Sequence, residues 1–153
     1  MSKRLPLLAL LCTLAACIRQ SPVIYLDHEW SSYYAKNNCV LYLPLGDRDP
    51  GFEACLMRQV QALQSFERML LAQLRTHPDC TGVVVANVAD VAAPPPATRF
   101  WRLLINLDDL EGKREPWDLM GPKSPEMHHG AGGASDIAGD VCSIAAGHAT
   151  RRK

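Results

Sequence analysis

The sequence predicts an α+β fold, a small two-layer sandwich in which one long amphipathic helix covers a mainly antiparallel sheet. Three observations carry this. Apolar side chains recur at helical spacing over residues 50–75, short β-favouring runs flank that stretch on both sides, and the order of elements is strand, strand, helix, then two or three strands. One long helix cannot cover both faces of a parallel sheet. An antiparallel sheet with the helix on one face is the economical arrangement.

The first strand is expected at residues 23–27 (Val-Ile-Tyr-Leu-Asp), and residues 28–36 read as a helical turn or a loop. A second strand is expected at residues 39–43, before Pro44, Gly46, Asp47, Asp49 and Pro50 punctuate the chain. Asp49 then suits an N-cap and Pro50 the first helical position. Phe52, Leu56, Val60, Leu63, Phe66, Leu70 and Leu74 form one stripe, with Arg58, Gln61, Ser65, Arg68 and Arg75 opposite. Gln59 and Glu67 fall within the stripe and are expected near its edges, reaching water, because a buried carboxylate is costly unless paired. Pro78 ends the helix.

Residues 82–88 (Gly-Val-Val-Val-Ala-Asn-Val) and 100–107 read as strands, joined by a long connection containing Pro94-Pro95-Pro96. Residues 108–116 form a charged turn and 117–120 a short last strand. From residue 121 the composition shifts to Gly, Ala and Ser. Residues 121–153 are therefore expected to be a disordered tail, with residues 137–146 as its one helical candidate. The domain is assigned to residues 23–120.

Length and charge bound the rest. A chain of 153 residues allows one domain, and its 16 basic and 16 acidic side chains exclude the surplus of positive charge that marks a nucleic-acid binder.

The amino-terminal residues have the form of a secretory signal: Lys3 and Arg4, then an apolar run over residues 5–14 too short to span a bilayer, then small residues. Leu14-Ala15-Ala16-Cys17 resembles the lipobox of bacterial lipoproteins. That resemblance implies cleavage before Cys17 (residues 1–16 removed), a diacylglycerol thioether on the Cys17 thiol, and a further acyl chain, typically palmitate, on the new amino group. Residues 17–22 would be the lipidated tether. In such lipoproteins an aspartate after the cysteine signals inner-membrane retention. Ile18 stands there instead, so the resemblance implies an outer-membrane anchor facing the periplasm. Loss of Lys3 and Arg4 leaves 14 basic against 16 acidic side chains, a net charge of −2. No polybasic stretch remains near the anchor to attract anionic lipid, so the lipid is expected to anchor alone.

Of six cysteines, Cys12 leaves with the signal and Cys17 carries lipid, leaving Cys39, Cys55, Cys80 and Cys142 in an oxidising compartment. Cys55 opens the long helix and Cys80 follows it, about 30 Å apart along an unbroken helix, which disfavours that pair. If the second strand folds back along the helix, Cys39 comes near Cys80, so a Cys39–Cys80 bridge is expected. Cys55 is then a small buried hydrophobe or the partner of Cys142. The cysteine spacing does not resemble a zinc knuckle, and His128, His129, Cys142 and His148 form at best a loose set, so no metal is expected.

No nucleophile elbow, phosphate loop or metalloprotease helix is present. Asp27-His28-Glu29 is the densest titratable cluster, but adjacent residues point in different directions, and it reads as an exposed turn. His77 suits a helix C-terminus. Trp101 and Trp117 read as core. Trp30, Tyr33 and Tyr34 are the candidate interaction residues. The expectation is a non-enzymatic lipoprotein, without cofactor, that binds a periplasmic protein as an immunity protein or envelope adaptor. The alternative is a module for a small ligand or cell-wall glycan, stacked on the aromatic side chains near Trp30.

Overall fold

The computed structural model describes residues 21–39, 50–87, 100–107, 115–123 and 125–147. The signal segment, Cys17, the expected N-cap Asp49, the proline-rich connection and all but the first residue of the 39–43 strand lie outside them. The elements in chain order are β1 (Val23–Leu26), α1 (His28–Asn37), α2 (Pro50–Thr76), a 3₁₀ turn (Pro78–Cys80), β2 (Val84–Asn87), β3 (Phe100–Ile105), β4 (Glu115–Met120), β5 (Met127–Gly132) and α3 (Ala134–Ala145). The fold is α+β, with five strands and one long helix among three in the described residues.

The sheet order is β2-β1-β3-β4-β5. It is mixed, which corrects the mainly antiparallel expectation. β1 runs parallel to both β2 and β3, while β3–β4 and β4–β5 are antiparallel. The cause is that residues 28–37 form a full helix. β1 is followed by two helices, and a helical crossover is what returns a chain to begin a parallel strand. The antiparallel half arises where short connections join β3, β4 and β5.

Alternation selects one face of the sheet for burial. Ile24 stands opposite Trp101, Leu26 opposite Leu103, Leu103 opposite Leu119, and Ile105 opposite Trp117. Leu63, Phe66, Leu70 and Leu74 of α2 and Ile137, Ala138 and Val141 of α3 join them in a single core cluster. Both tryptophans read as core are buried, at 6% and 4% exposure. The buried stripe of α2 departs from the expected one at its start, where Cys55 and Gln59 are buried.

Residues 127–145, expected to be disordered, form β5 and α3. β5 pairs with β4 along all six residues. Its inward positions are His128, Gly130 and Gly132, small enough in two cases for α3 and Trp117 to approach. α3 places Ile137, Ala138, Val141 and Cys142 on one buried face, and the Asp136 carboxylate accepts from the Gly133 N–H at 3.3 Å at its start. Residues 148–153 lie outside the described residues.

The bridges are Cys39–Cys55 and Cys80–Cys142, with Cα atoms 5.8 and 5.0 Å apart. The expected Cys39–Cys80 pairing is corrected. Cys39 does not open a strand; it follows α1 directly. His28 at the start of α1 meets Glu67 of α2, and Cys39 beyond its end meets Cys55. The two helices are therefore an antiparallel pair, which carries Cys39 towards the start of α2, far from Cys80.

Candidate functional site

The aromatic residues of α1 are held by a junction built on Asp27. Asp27 extends the β1–β3 pairing by donating its N–H to the Leu103 carbonyl at 2.9 Å. Its side chain then turns to two tasks. Oδ1 accepts from the Trp30 N–H at 3.0 Å, capping α1, and Oδ2 accepts from Arg102 Nε at 2.5 Å and also contacts Nη2. Asp27 is 3% exposed, so its charge depends on these partners. A carboxylate at a helix N-terminus also meets the positive end of the helix dipole.

Arg102 lies on β3 beside Tyr25 of β1, and its guanidinium carbon stands 5.8 Å from the Trp30 ring centroid. Trp30, Tyr33 and Tyr34 form a mutual cluster, with centroids 5.7 Å (Trp30–Tyr33), 6.4 Å (Trp30–Tyr34) and 6.0 Å (Tyr33–Tyr34) apart. Trp30 is 45% and Tyr33 55% exposed. The opposite side of α1 is stitched to the sheet. The Ser31 hydroxyl donates to the Asp27 carbonyl at 2.8 Å and accepts from the Ile105 N–H at 3.0 Å. Asn38 Nδ2 donates to the Leu107 carbonyl at 2.5 Å. The result is an exposed aromatic patch on a helix fixed at both ends.

The three candidate interaction residues thus come together. Tyr25 packs on Phe100 at 5.1 Å, and burial together with the Asp27 charge raises its phenol pKa. Sequence reasoning missed Arg102 and the role of Asp27. A helix-capping reading of Asp27 before residues 28–37 was the available signal; the arginine partner, 75 residues away, left none.

A second cluster lies on the flank of α1 that faces α2. Glu67 is buried, contrary to expectation, and its Oε2 accepts from His28 Nδ1 at 2.7 Å. The Ser32 hydroxyl lies 3.2 Å from His28 Nε2 and donates to it when Nδ1 carries the proton. Burial raises the Glu67 carboxyl above its usual range, and hydrogen bonding and charge from His28 oppose that. Hydroxyl, imidazole and carboxylate stand in the order used for nucleophilic acyl transfer. Such chemistry also needs amide donors aimed at the developing oxyanion. The Ser32 N–H lies within α1, whose ladder uses it. The cluster acts here as a clip between the two helices. Gln59, also buried, has no hydrogen-bond partner for Oε1 among the described residues.

His77 accepts from the Asp79 N–H at 3.3 Å and caps the 3₁₀ turn. Among the described residues no group of three or more His, Cys, Asp or Glu could hold a metal ion, and the Cys142 sulfur is engaged in its bridge. No described helix is long and apolar enough to cross a membrane. No family model, curated protein or solved structure matches the chain.

Proposed function

We propose that the chain is an outer-membrane lipoprotein, fastened by acyl groups on Cys17, whose periplasmic domain binds another protein through the α1 aromatic patch and performs no reaction. One observation carries the binding surface: Trp30 and Tyr33 are half-exposed on a helix whose orientation is fixed by Asp27, Arg102 and Ser31. Large aromatic rings held before contact lose little conformational freedom on binding, and Trp, Tyr and Arg dominate the energetic centres of interfaces. The two bridges support the periplasmic address, since disulfides persist in oxidising compartments.

Two experiments test this. Radiolabelled palmitate should enter the wild-type chain and not Cys17→Ser. A photo-crosslinking residue at position 33 should give one discrete protein adduct in intact cells, lost with Trp30→Ala, while the same residue at position 68 on α2 gives none. Trp30→Ala should weaken binding to the identified partner by at least about thirtyfold, the scale of an interface hot spot. A cell-wall glycan as the ligand would appear instead as sugar-dependent quenching of tryptophan fluorescence without a protein adduct.

A further inference from the structure

β5 is the last strand of the sheet, and nothing among the described residues pairs with its outer side. The ladder fixes which of its backbone groups point outwards. Two bonds set the alternation: the Gly121 N–H donates to the Glu126 carbonyl at 2.9 Å, and the Asn106 N–H donates to the Pro116 carbonyl at 2.9 Å. In an antiparallel pair, hydrogen-bonded positions recur every second residue. Continued along the β4–β5 register, they fall on His128, Gly130 and Gly132, which face β4. Met127, His129 and Ala131 therefore aim both N–H and C=O at the free edge. All three are exposed.

Such an edge is a template for a further strand unless it is guarded. The usual guards are lysine, proline, a bulge or shortness. β5 reads Met-His-His-Gly-Ala-Gly and pairs with β4 along all six residues without a bulge. The opposite edge strand, β2, has four residues.

The outward groups are also self-complementary. A two-fold axis through His129 sets Met127 against Ala131 of the second copy, His129 against its own equivalent, and Ala131 against Met127 of the second copy. Moving the axis by one residue either way leaves an outward residue of β5 without a partner on the facing β5. The register through His129 satisfies every outward N–H and C=O of both strands. It also sets the large Met127 side chain, 58% exposed, beside the small methyl of Ala131. A flanking strand from an unrelated protein would have no such built-in match.

We propose that β5 is a dimer interface, at which two copies of this chain join edge to edge, antiparallel about His129, into one continuous sheet. The inference rests on neither the acyl anchor nor the aromatic patch. Arg102 of that patch lies on β3, and β4 separates β3 from this edge. A dimer would present two patches, so that a partner with two matching sites gains from their linkage.

The test is sedimentation equilibrium of the full chain in neutrally buoyant detergent with micelles in excess, which serves an acylated or an unacylated chain alike. A contact of this size is expected to give a reversible monomer–dimer equilibrium with a Kd of about 1–100 μM. Met127→Lys combined with Ala131→Lys places like charges opposite each other across the interface and should weaken dimerisation about tenfold. Met127→Glu combined with Ala131→Lys places opposite charges there and should restore it to at least the wild-type value. Within one copy these two positions face Met120 and Pro116 on β4, which carry no charge, so both variants keep the fold. His129→Pro removes only an outward N–H, a change an edge strand tolerates, and should also weaken the dimer about tenfold. Circular dichroism checks the fold of each variant. A wild-type chain that stays monomeric at about 100 μM, assembly beyond a dimer, or Lys/Lys and Glu/Lys variants that dimerise equally would overturn the proposal.

Discussion

The indole of Trp117 lies directly on Gly130, its partner across the β4–β5 pair, so closely that a Cβ at position 130 would stand 2.6 Å from the ring. The contact accounts for a glycine in the middle of a strand. β5 has little side-chain volume of its own, and it joins the core by letting its neighbour's tryptophan cover its backbone. Gly130→Ala should destabilise the fold by about 1–3 kcal/mol, the cost of overpacking a filled site. Urea unfolding followed by tryptophan fluorescence measures this, and an unchanged midpoint would show that the ring moves aside freely.

The bridges divide the stabilisation by loop length. Cys39–Cys55 closes a separation of 16 residues and Cys80–Cys142 one of 62. Chain-entropy estimates give about 3 kcal/mol for the first and about 4 kcal/mol for the second. Paired replacement by alanine should follow that order in denaturant midpoints. The second replacement should also free α3, since that helix is tied to the 3₁₀ turn through Cys142. Non-reducing peptide maps should contain the 39–55 and 80–142 pairs; a 39–80 peptide would contradict the antiparallel packing of α1 on α2.

The helix clip predicts a pH dependence with a definite sign. Burial raises the Glu67 carboxyl above its usual value of 4.5. A carboxyl with a raised folded-state pKa holds its proton more tightly when folded. Its contribution is complete below pH 4.5 and is lost as pH rises through the folded value. The facing groups are His28, Ser32 and the Asp27 charge. Wild-type stability should therefore decline relative to Glu67→Gln as pH rises from acid towards neutral. Parallel urea titrations across that range check it, and the opposite slope would mean that the His28 pairing outweighs desolvation.

Removing the Asp27 carboxylate should be felt in two places. Asp27→Ala uncaps α1 and leaves Arg102 without its buried partner. With the arginine side chain 36% exposed, water replaces part of that loss, and the expected cost is about 2 kcal/mol. The same variant should weaken partner binding by loosening Trp30, whereas Tyr33→Ala should reduce binding with stability within about 0.5 kcal/mol of wild type.

Ser32 should not be a reactive nucleophile. A fluorophosphonate probe is expected to leave it unlabelled in the folded protein, because acyl transfer also needs amide donors aimed at the tetrahedral intermediate, and the Ser32 N–H is taken up in the α1 ladder. Labelling abolished by Ser32→Ala and by His28→Ala would establish an acyl-transfer site.

Local pattern in the sequence was sufficient for the long helix, whose period and terminal prolines place it within about a residue, for the first strand, and for burial of Trp101 and Trp117. It also drew attention to Trp30, Tyr33 and Tyr34, whose rings the structure brings into one cluster. Each of these rests on interactions between neighbours along the chain. Tertiary structure alone decided the parallel pairing of β1 with β2 and β3, the folding of residues 127–145, the disulfide partners, and the arrival of Arg102 at Asp27 and Glu67 at His28. Those depend on contacts across tens of residues. β5 and α3 are held by a neighbour's indole, a ladder and a sulfur bridge that their own small side chains do not announce. Chain topology, set by where helices return strands to the sheet, determines which distant groups become neighbours, and no window of sequence contains it.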